Sequence, residues 1–324
     1  MMKRIALIYM GGTFGCVGEP LAPMAAADFI PQLEATLAHH PHIDCLVAPS
    51  IKDSSACTAT DWLLLVQYIQ TLQQAGYAHF VIIHGTDTLS YAAAVLARCL
   101  ARSAHVVLTG SQYPLLNSEG QGVREFSDAF DNLATALDAV QNCEAGVYLA
   151  FHQKVFHAQT ALKQHSTELD AFAGRSAYSP FTCQYAAYTV HDDDIEKAKS
   201  FGCVSIMMQP IELEQQIHLL HAFVQKPPAF LILQGFGIGN IAANAALIDG
   251  LEQLYAAGCI PLLTTQVPFG QMESRYAVSA WTENAKIIRS DCASHADLYA
   301  KALKMYLQYA SPDERWAHWS DQQI

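Results

Sequence analysis

The sequence predicts an α/β protein, with a larger N-terminal domain of mostly parallel sheet flanked by helices and a smaller α/β C-terminal domain. Three observations carry this. Short apolar runs recur, most ending at Gly, Thr, Ser or Gln and followed by a stretch of helical periodicity, which is the pattern of βαβ units. A length of 324 residues suits one large or two medium domains with a sizeable core. The polar stretch 191–199 carries four acids and no strong strand or helix pattern, so it reads as a linker. The expected limits are 1–190 for the first domain, 191–204 for the linker and 205–324 for the second.

The elements follow in order. The first apolar run, 4–10, has the look of a short signal peptide, but it stops at two glycines without a small-residue cleavage pattern, and it is read as the first strand. A helix is expected over 60–74, a strand over 79–84, a helix over 89–101 and a strand over 105–109. After a helix over 129–141 come strands at 145–151 and 229–234, a helix over 242–257, a strand over 260–265 and a helix over 298–309. Parallel strands all point one way, so the polar residues after their last apolar positions gather at one edge of the sheet, where open α/β folds bind ligands.

Composition narrows the function classes. A formal charge of −12 without Lys/Arg clusters argues against a nucleic-acid partner, which needs positive charge against phosphate, and favours a small-molecule substrate. No run of eighteen or more apolar residues is long enough to cross a bilayer, so a soluble protein without a membrane partner is expected. The nine cysteines show no CxxC pairing, and their odd number fits free thiols in a reducing compartment better than a disulfide framework. The expected location is the cytoplasm.

Two strand ends carry candidate chemistry. The first strand runs into Gly11-Gly12-Thr13-Phe14-Gly15, where glycines let backbone N–H groups approach a ligand and a threonine hydroxyl is placed to attack. That hydroxyl needs a base and oxyanion donors, so the turn taken alone reads as a plain Gly-rich turn. The second ends in Ile83-His84-Gly85-Thr86-Asp87-Thr88, just before the apolar helix at Leu89. A helix N-cap accounts for one of these side chains, not three in a row.

Together these stretches, GGT and HGTDT, resemble the asparaginase family of the bacterial kind, in particular its cytoplasmic type I branch. Further matches follow in order. Asp53-Ser54-Ser55 with Asp61-Trp62 is similar to the family's DSS-x-M-x-x-x-DW, and Thr109-Gly110-Ser111-Gln112-Tyr113-Pro114-Leu115 to its TGSQ-x-PL. Lys163 with Asp170-Ala171-Phe172 resembles K-x-x-x-x-x-x-DAF, and Gly235 through Asn240 resembles G-x-G-x-GN. The resemblance implies a two-domain α/β fold, a homodimer or homotetramer, no cofactor and no metal, and hydrolysis of asparagine to aspartate and ammonia. By position, Thr13 matches the nucleophile that forms an acyl-enzyme, and Thr86, Asp87 and Lys163 match a second catalytic cluster. Gly12, Ser54, Ser55 and Asp87 match substrate-holding positions. The roles make chemical sense: Lys163 could shuttle a proton through Thr86, Asp87 suits an α-ammonium, and Ser54 with backbone N–H groups suits an α-carboxylate.

Departures from the family pattern leave alternatives open. The loop after GGT usually offers a tyrosine that assists the nucleophile, whereas Leu21 stands in its place here; a leucine neither gives nor takes a proton. Tyr9 and Tyr276 are substitutes only by residue type. Residues 117–126 read as an insertion before Ser127-Asp128-Ala129 and Asn132-Leu133, which resemble SDG-x-x-NL. Ala56-Cys57 replaces the usual Asp and Met after Ser55, and after Gly270 the likeness fades. Leu162 stands where type I members commonly have threonine, so allostery is not expected. Preference for glutamine or a larger amide, or a catalytically silent amino-acid binder, are the competing readings.

Two other signals are weaker. Gly235 through Asn240 has GxGxG spacing and no acid at the end of the next strand, so it reads as a helix-entry turn rather than a dinucleotide site. His39, His40 and His42 lie in a loop without a carboxylate at ligand spacing, and His84 reads as a structural imidazole at a buried strand end.

Overall fold

Six strands build the sheet of the first half of the chain: β1 (Ile5–Tyr9), β2 (Ile43–Val47), β3 (His79–Ile83), β4 (His105–Thr109), β5 (Gly146–Phe151) and β6 (Lys154–His157), in the order β2-β1-β3-β4-β5-β6. The first five are parallel, and β6 returns antiparallel to β5. The computed structural model describes residues 3–181, 185–270, 272 and 277–321. The chain divides into two compact units, the first running to Glu196 and the second starting at Lys197.

The central strands β1 (IALIY) and β3 (HFVII) are buried along their whole length. Strands covered on both faces have no solvent side, so they read as continuous apolar runs instead of alternating ones. Helices α1 (Ala26–Thr36), α2 (Ala59–Gln74), α3 (Leu89–Leu100) and α4 (Ala129–Asn142) supply the cover. Asp61 starts α2 by accepting the backbone N–H of Thr58 at 2.9 Å, and α4 packs on β4 and β5. One core cluster joins Ile5, Leu7 and Tyr9 of β1 to Phe29 and Leu33 of α1 and to Leu133 and Ala136 of α4. Each fully buried Ile, Leu or Phe side chain among them contributes roughly 1.5–3 kcal/mol.

The second unit has four parallel strands, β7 (Cys203–Met207), β8 (Phe230–Gly235), β9 (Ile260–Thr265) and β10 (Ile288–Arg289), in that order. Helices α6 (Leu213–Gln225) and α7 (Ala245–Ala256) supply Leu220, Leu247 and Leu251 to one cluster on this sheet, whereas α8 (His295–Gln308) supplies Leu298, Ala302 and Met305 to another. A last helix, α9 (Pro312–Ala317), begins with a Ser311/Glu314 capping box. Among the described residues no helix is long and apolar enough to cross a membrane.

Some elements differ from the sequence expectation. The stretch 191–204, expected as a linker, contains helix α5 (Asp192–Ala198) and the start of β7. Its acids are why: Asp192, Asp193 and Asp194 sit in the first turn, where the helix dipole favours negative charge, and Asp194 accepts His191 N at 2.9 Å and the Tyr188 hydroxyl at 2.8 Å. Helix α1 is hidden by Pro31 in its interior, a residue that normally ends a helix. Strand β2 is interrupted by Asp44, whose carboxylate takes Arg4 at 2.7 Å and Tyr77 at 3.0 Å.

Candidate active site

Chain order and strand order part company at β1. From β1 the chain goes to β2 on one side and then crosses to β3 on the other, so the loops leaving β1 and β3 diverge and open a crevice at the carboxyl edge. The loop after β1 carries Gly11, Gly12 and Thr13; the loop after β3 carries residues 84–88. Gly11 and Gly12 have φ of 96° and 88°, a left-handed conformation that a side chain would strain. Space demands glycine as well. A Cβ on Gly12 would stand 2.6 Å from Gly85 N, and one on Gly85 would stand 2.6 Å from the Ser54 Cβ. Three loops, after β1, β2 and β3, therefore meet closely, Gly12 against Gly85 by backbone and Gly85 against the buried Ser54 side chain.

The polar run after β3 is committed to this edge. Lys163, in the two-residue strand Leu162–Lys163 that pairs with Phe172–Ala173, donates from Nζ to Thr86 Oγ1 at 2.8 Å and lies 3.3 Å from Asp87 Oδ1. Thr86 is buried, the Lys163 side chain is 22% exposed and that of Asp87 59% exposed, so the cluster has a covered end and an open end. Thr88 Oγ1 donates to the Ser54 carbonyl at 2.7 Å and makes no cap bond to α3.

Thr13 begins a single 3-10 turn, Thr13–Gly15, and is half-buried; no hydrogen bond forms to its hydroxyl among the described residues. Tyr9 is committed elsewhere. Tyr9 is in the core, its ring 4.6 Å from that of Phe29 and its hydroxyl packed against Gly15, and burial pushes its pKa far above the ordinary tyrosine value. Tyr276 lies outside the described residues. Leu21 is 46% exposed and joins the short antiparallel pair Cys16–Val17 with Ala22–Pro23 only as its neighbour. Ser55 is exposed and its hydroxyl donates to Asp53 at 2.5 Å.

A supporting layer lies beneath the loop after β4, built by residues to which the sequence assigned no role. The buried carboxylate of Asp128 accepts Gln112 N at 3.0 Å and Tyr113 N at 2.9 Å, and Asn132 bridges from Asp128 to the Gly110 carbonyl at 3.0 Å. These hold the loop after β4 from below. The signals were the resemblance of Ser127-Asp128-Ala129 and Asn132-Leu133 to SDG-x-x-NL, which assigned no role, and an Asp and an Asn four residues apart at the start of α4, facing one way on a helix. Asp61 is also buried; burial alone would raise its pKa, but hydrogen bonds from Lys52, Ser50 and Thr58 outweigh that and hold it low. His84 accepts at Nε2 from the Trp62 indole N–H, 3.2 Å, and since that indole only donates, the proton sits on Nδ1 and is given to the Gly85 carbonyl at 2.8 Å. Burial lowers its pKa. It is a neutral, fully bonded strut. Asp170 is paired with Lys154 at 2.6 Å.

The Gly235–Asn240 loop closes on itself: Phe236 N donates to Asn240 O at 2.9 Å, and Gly239 N and Asn240 N donate back to Phe236 O. With those N–H groups used internally it makes a turn, not a phosphate cradle. A cavity of about 580 Å³ lined by Arg102, Cys143, Tyr148, His157 and Phe181 lies at the amino end of β5, opposite the edge that carries Thr86.

Comparison with known proteins gives the family and the fold. A family model described as "Asparaginase, N-terminal" matches residues 4–195. The chain is 29% identical to an L-asparaginase of Dirofilaria immitis over 82% of its own length but only 44% of that protein, so it spans under half the length of this relative. It is 26% identical to L-asparaginase 1 of Escherichia coli K12, covering 96% of this chain and 93% of that one. The crystal structure of L-asparaginase I from Vibrio cholerae shares the fold, with a TM-score of 0.77 at 23% identity over 99% of this chain and 98% of that one.

Proposed function

This chain belongs to the asparaginase family, and from that premise we propose that it is an L-asparaginase, converting L-asparagine to L-aspartate and ammonia with Thr13 as nucleophile. The observation that carries the reading is the junction of Gly12, Gly85 and Ser54 at the carboxyl edge, with Lys163 bonded to Thr86 at 2.8 Å beside it.

The Thr13 oxygen attacks the side-chain carbonyl carbon, the C–N bond breaks, and the nitrogen leaves as ammonia carrying the hydroxyl proton. Water then cleaves the ester, releases aspartate and returns a proton to Thr13. Because Thr86 already accepts from Lys163, its own O–H is free to donate, so Lys163 and Thr86 form a line along which a proton can move. Asp87, open to solvent on one side, faces the substrate's α-ammonium. The Gly12 N–H with Ser54 and Ser55 holds the α-carboxylate. The N-terminal domain carries this chemistry; the protein works in the cytoplasm as a homodimer or homotetramer on a small-molecule amide.

The test is ammonia release from asparagine by the purified protein. It disappears in Thr13→Ala and in Thr86→Val; full activity in either variant refutes the mechanism.

A further inference from the structure

The inserted segment lies against the loop that carries Thr13, and its contacts there are made largely by backbone. Leu116 and Val123 form an antiparallel bridge, Asn117 N donates to Gly122 O at 3.1 Å, and Arg124 N donates to Leu115 O at 2.8 Å. The result is a short hairpin over 115–124. Its tip is closed from within by Asn117, whose Oδ1 accepts Glu119 N at 3.1 Å and Gln121 N at 2.9 Å.

This hairpin is bonded to the Thr13 loop at two places. Leu115 N donates to Phe14 O at 2.9 Å, and Gly18 N donates to Ser118 O at 3.1 Å. Between them the tip is fitted closely: Gly120 is buried with φ of 73°, and a Cβ there would stand 2.6 Å from Met24 Cε and 3.7 Å from a Val17 methyl. Met24 N in turn donates to Gly15 O at 2.9 Å, closing a ring of contacts from hairpin to loop to the turn of Thr13. A two-residue strand pair such as Cys16–Val17 with Ala22–Pro23 does not hold its shape alone in water.

We propose that the 115–124 hairpin is a fixed clamp on the Thr13 loop and that Asn117 is a positioning residue for the nucleophile. With leucine at position 21 the loop has no proton-moving side chain there, so what it contributes is the placement of Thr13, and the clamp supplies that placement before substrate arrives. This rests on the reading of Thr13 as nucleophile.

The experiment compares wild-type protein with Asn117→Leu, Asn117→Asp and Gly120→Val. The first readout is hydrogen exchange of the Gly18 amide, which needs no activity. Asn117→Leu opens the tip, so Gly18 exchange rises and kcat for asparagine falls on the order of ten- to a hundredfold, while KM, set by groups outside the clamp, stays within about twofold. Asn117→Asp keeps the acceptor and restores both values; Gly120→Val displaces Met24 with Asn117 intact and repeats the loss, which covers the case in which Asn117→Leu does not fold. Unchanged Gly18 exchange in the folded Leu or Val variant overturns the clamp, as does an equal loss in Asn117→Asp. If wild-type protein does not hydrolyse asparagine, the exchange measurement still decides the clamp, so the two readings fail separately.

Discussion

Replacing Lys163 by methionine removes the ammonium while keeping a long, unbranched side chain, and it separates catalysis from stability. In the folded protein Lys163 makes two polar contacts, 2.8 Å to Thr86 Oγ1 and 3.3 Å to Asp87 Oδ1. The second is a looser ion pair with a carboxylate 59% exposed to solvent, and exposed pairs are worth about 0–1 kcal/mol. The first is a hydrogen bond to a hydroxyl that can turn to other partners, so the stability cost stays near 1 kcal/mol. The melting temperature of a unit the size of the first one, Met1–Glu196, therefore falls by roughly 2–4 °C. Activity responds on another scale. If Lys163 moves the proton through Thr86, its loss costs about 10²–10⁴-fold in kcat, or roughly 3–5 kcal/mol of transition-state stabilisation. Steady-state ammonia release and a thermal melt on one preparation decide the matter. A variant with kcat within threefold of wild type, or one whose lost activity is matched by a collapsed melting temperature, refutes the reasoning.

Other consequences are as direct. Gly85→Ala forces a methyl to 2.6 Å from the Ser54 Cβ, so Ser54 or the Gly12 backbone has to retreat; the expected result is a loss of about 1–3 kcal/mol in stability together with a large fall in kcat, and wild-type values for both overturn it. Acid weakens the fold through His79, whose ring stacks on His105 at 4.4 Å and whose pKa burial and that neighbour lower to about 4. Since the unfolded chain binds the proton near pH 6.5 and the folded one only near 4, stability is full above about 6.5 and is lost as pH falls from about 6.5 to about 4. His79→Phe keeps the stack without the proton and flattens this part of the melting-temperature profile; an unchanged slope refutes the assignment.

What could be read in advance divides along physical lines. Strands β1, β3, β4 and β9 were legible because a strand buried on both faces is a short, nearly continuous apolar run, and runs of five or six residues ending at turn residues are too short for helices. Strand β2 was not, because an edge strand tolerates Asp44 when Arg4 and Tyr77 cover it. Thr86 and Asp87 could be named because their side-chain chemistry is unusual at a strand-to-helix turn, and Lys163 because it stands seven residues before Asp170-Ala171-Phe172 as in the family motif; the structure brings all three together. Asp128 and Asn132 could not be given a role, since an Asp at a helix start looks the same whether it caps its own helix or, as here, holds the backbone of Gln112 and Tyr113. The clamp lay further out of reach. Its contacts are between backbone groups, Gly18 to Ser118 and Phe14 to Leu115, and backbone groups carry no signature in composition or spacing.

That backbone character bears on the leucine at position 21. The crevice is defined by Gly12 against Gly85 and Gly85 against Ser54, distances set by strands β1 and β3 and by glycines that no side chain can replace. A site built in this way loses little of its shape when one loop side chain changes, because that side chain supports none of the contacts on which the shape depends. What it loses is a proton carrier. The remaining line of Lys163 and Thr86 then bears the proton traffic alone, and its rate depends on how closely Thr13 is held to it. Variants of the clamp and variants of Lys163 should therefore interact: in a double-mutant cycle, the kcat losses of Asn117→Leu and Lys163→Met are less than multiplicative, because a displaced Thr13 can no longer profit from the ammonium. Strictly multiplicative losses would show instead that the loop and the lysine act independently.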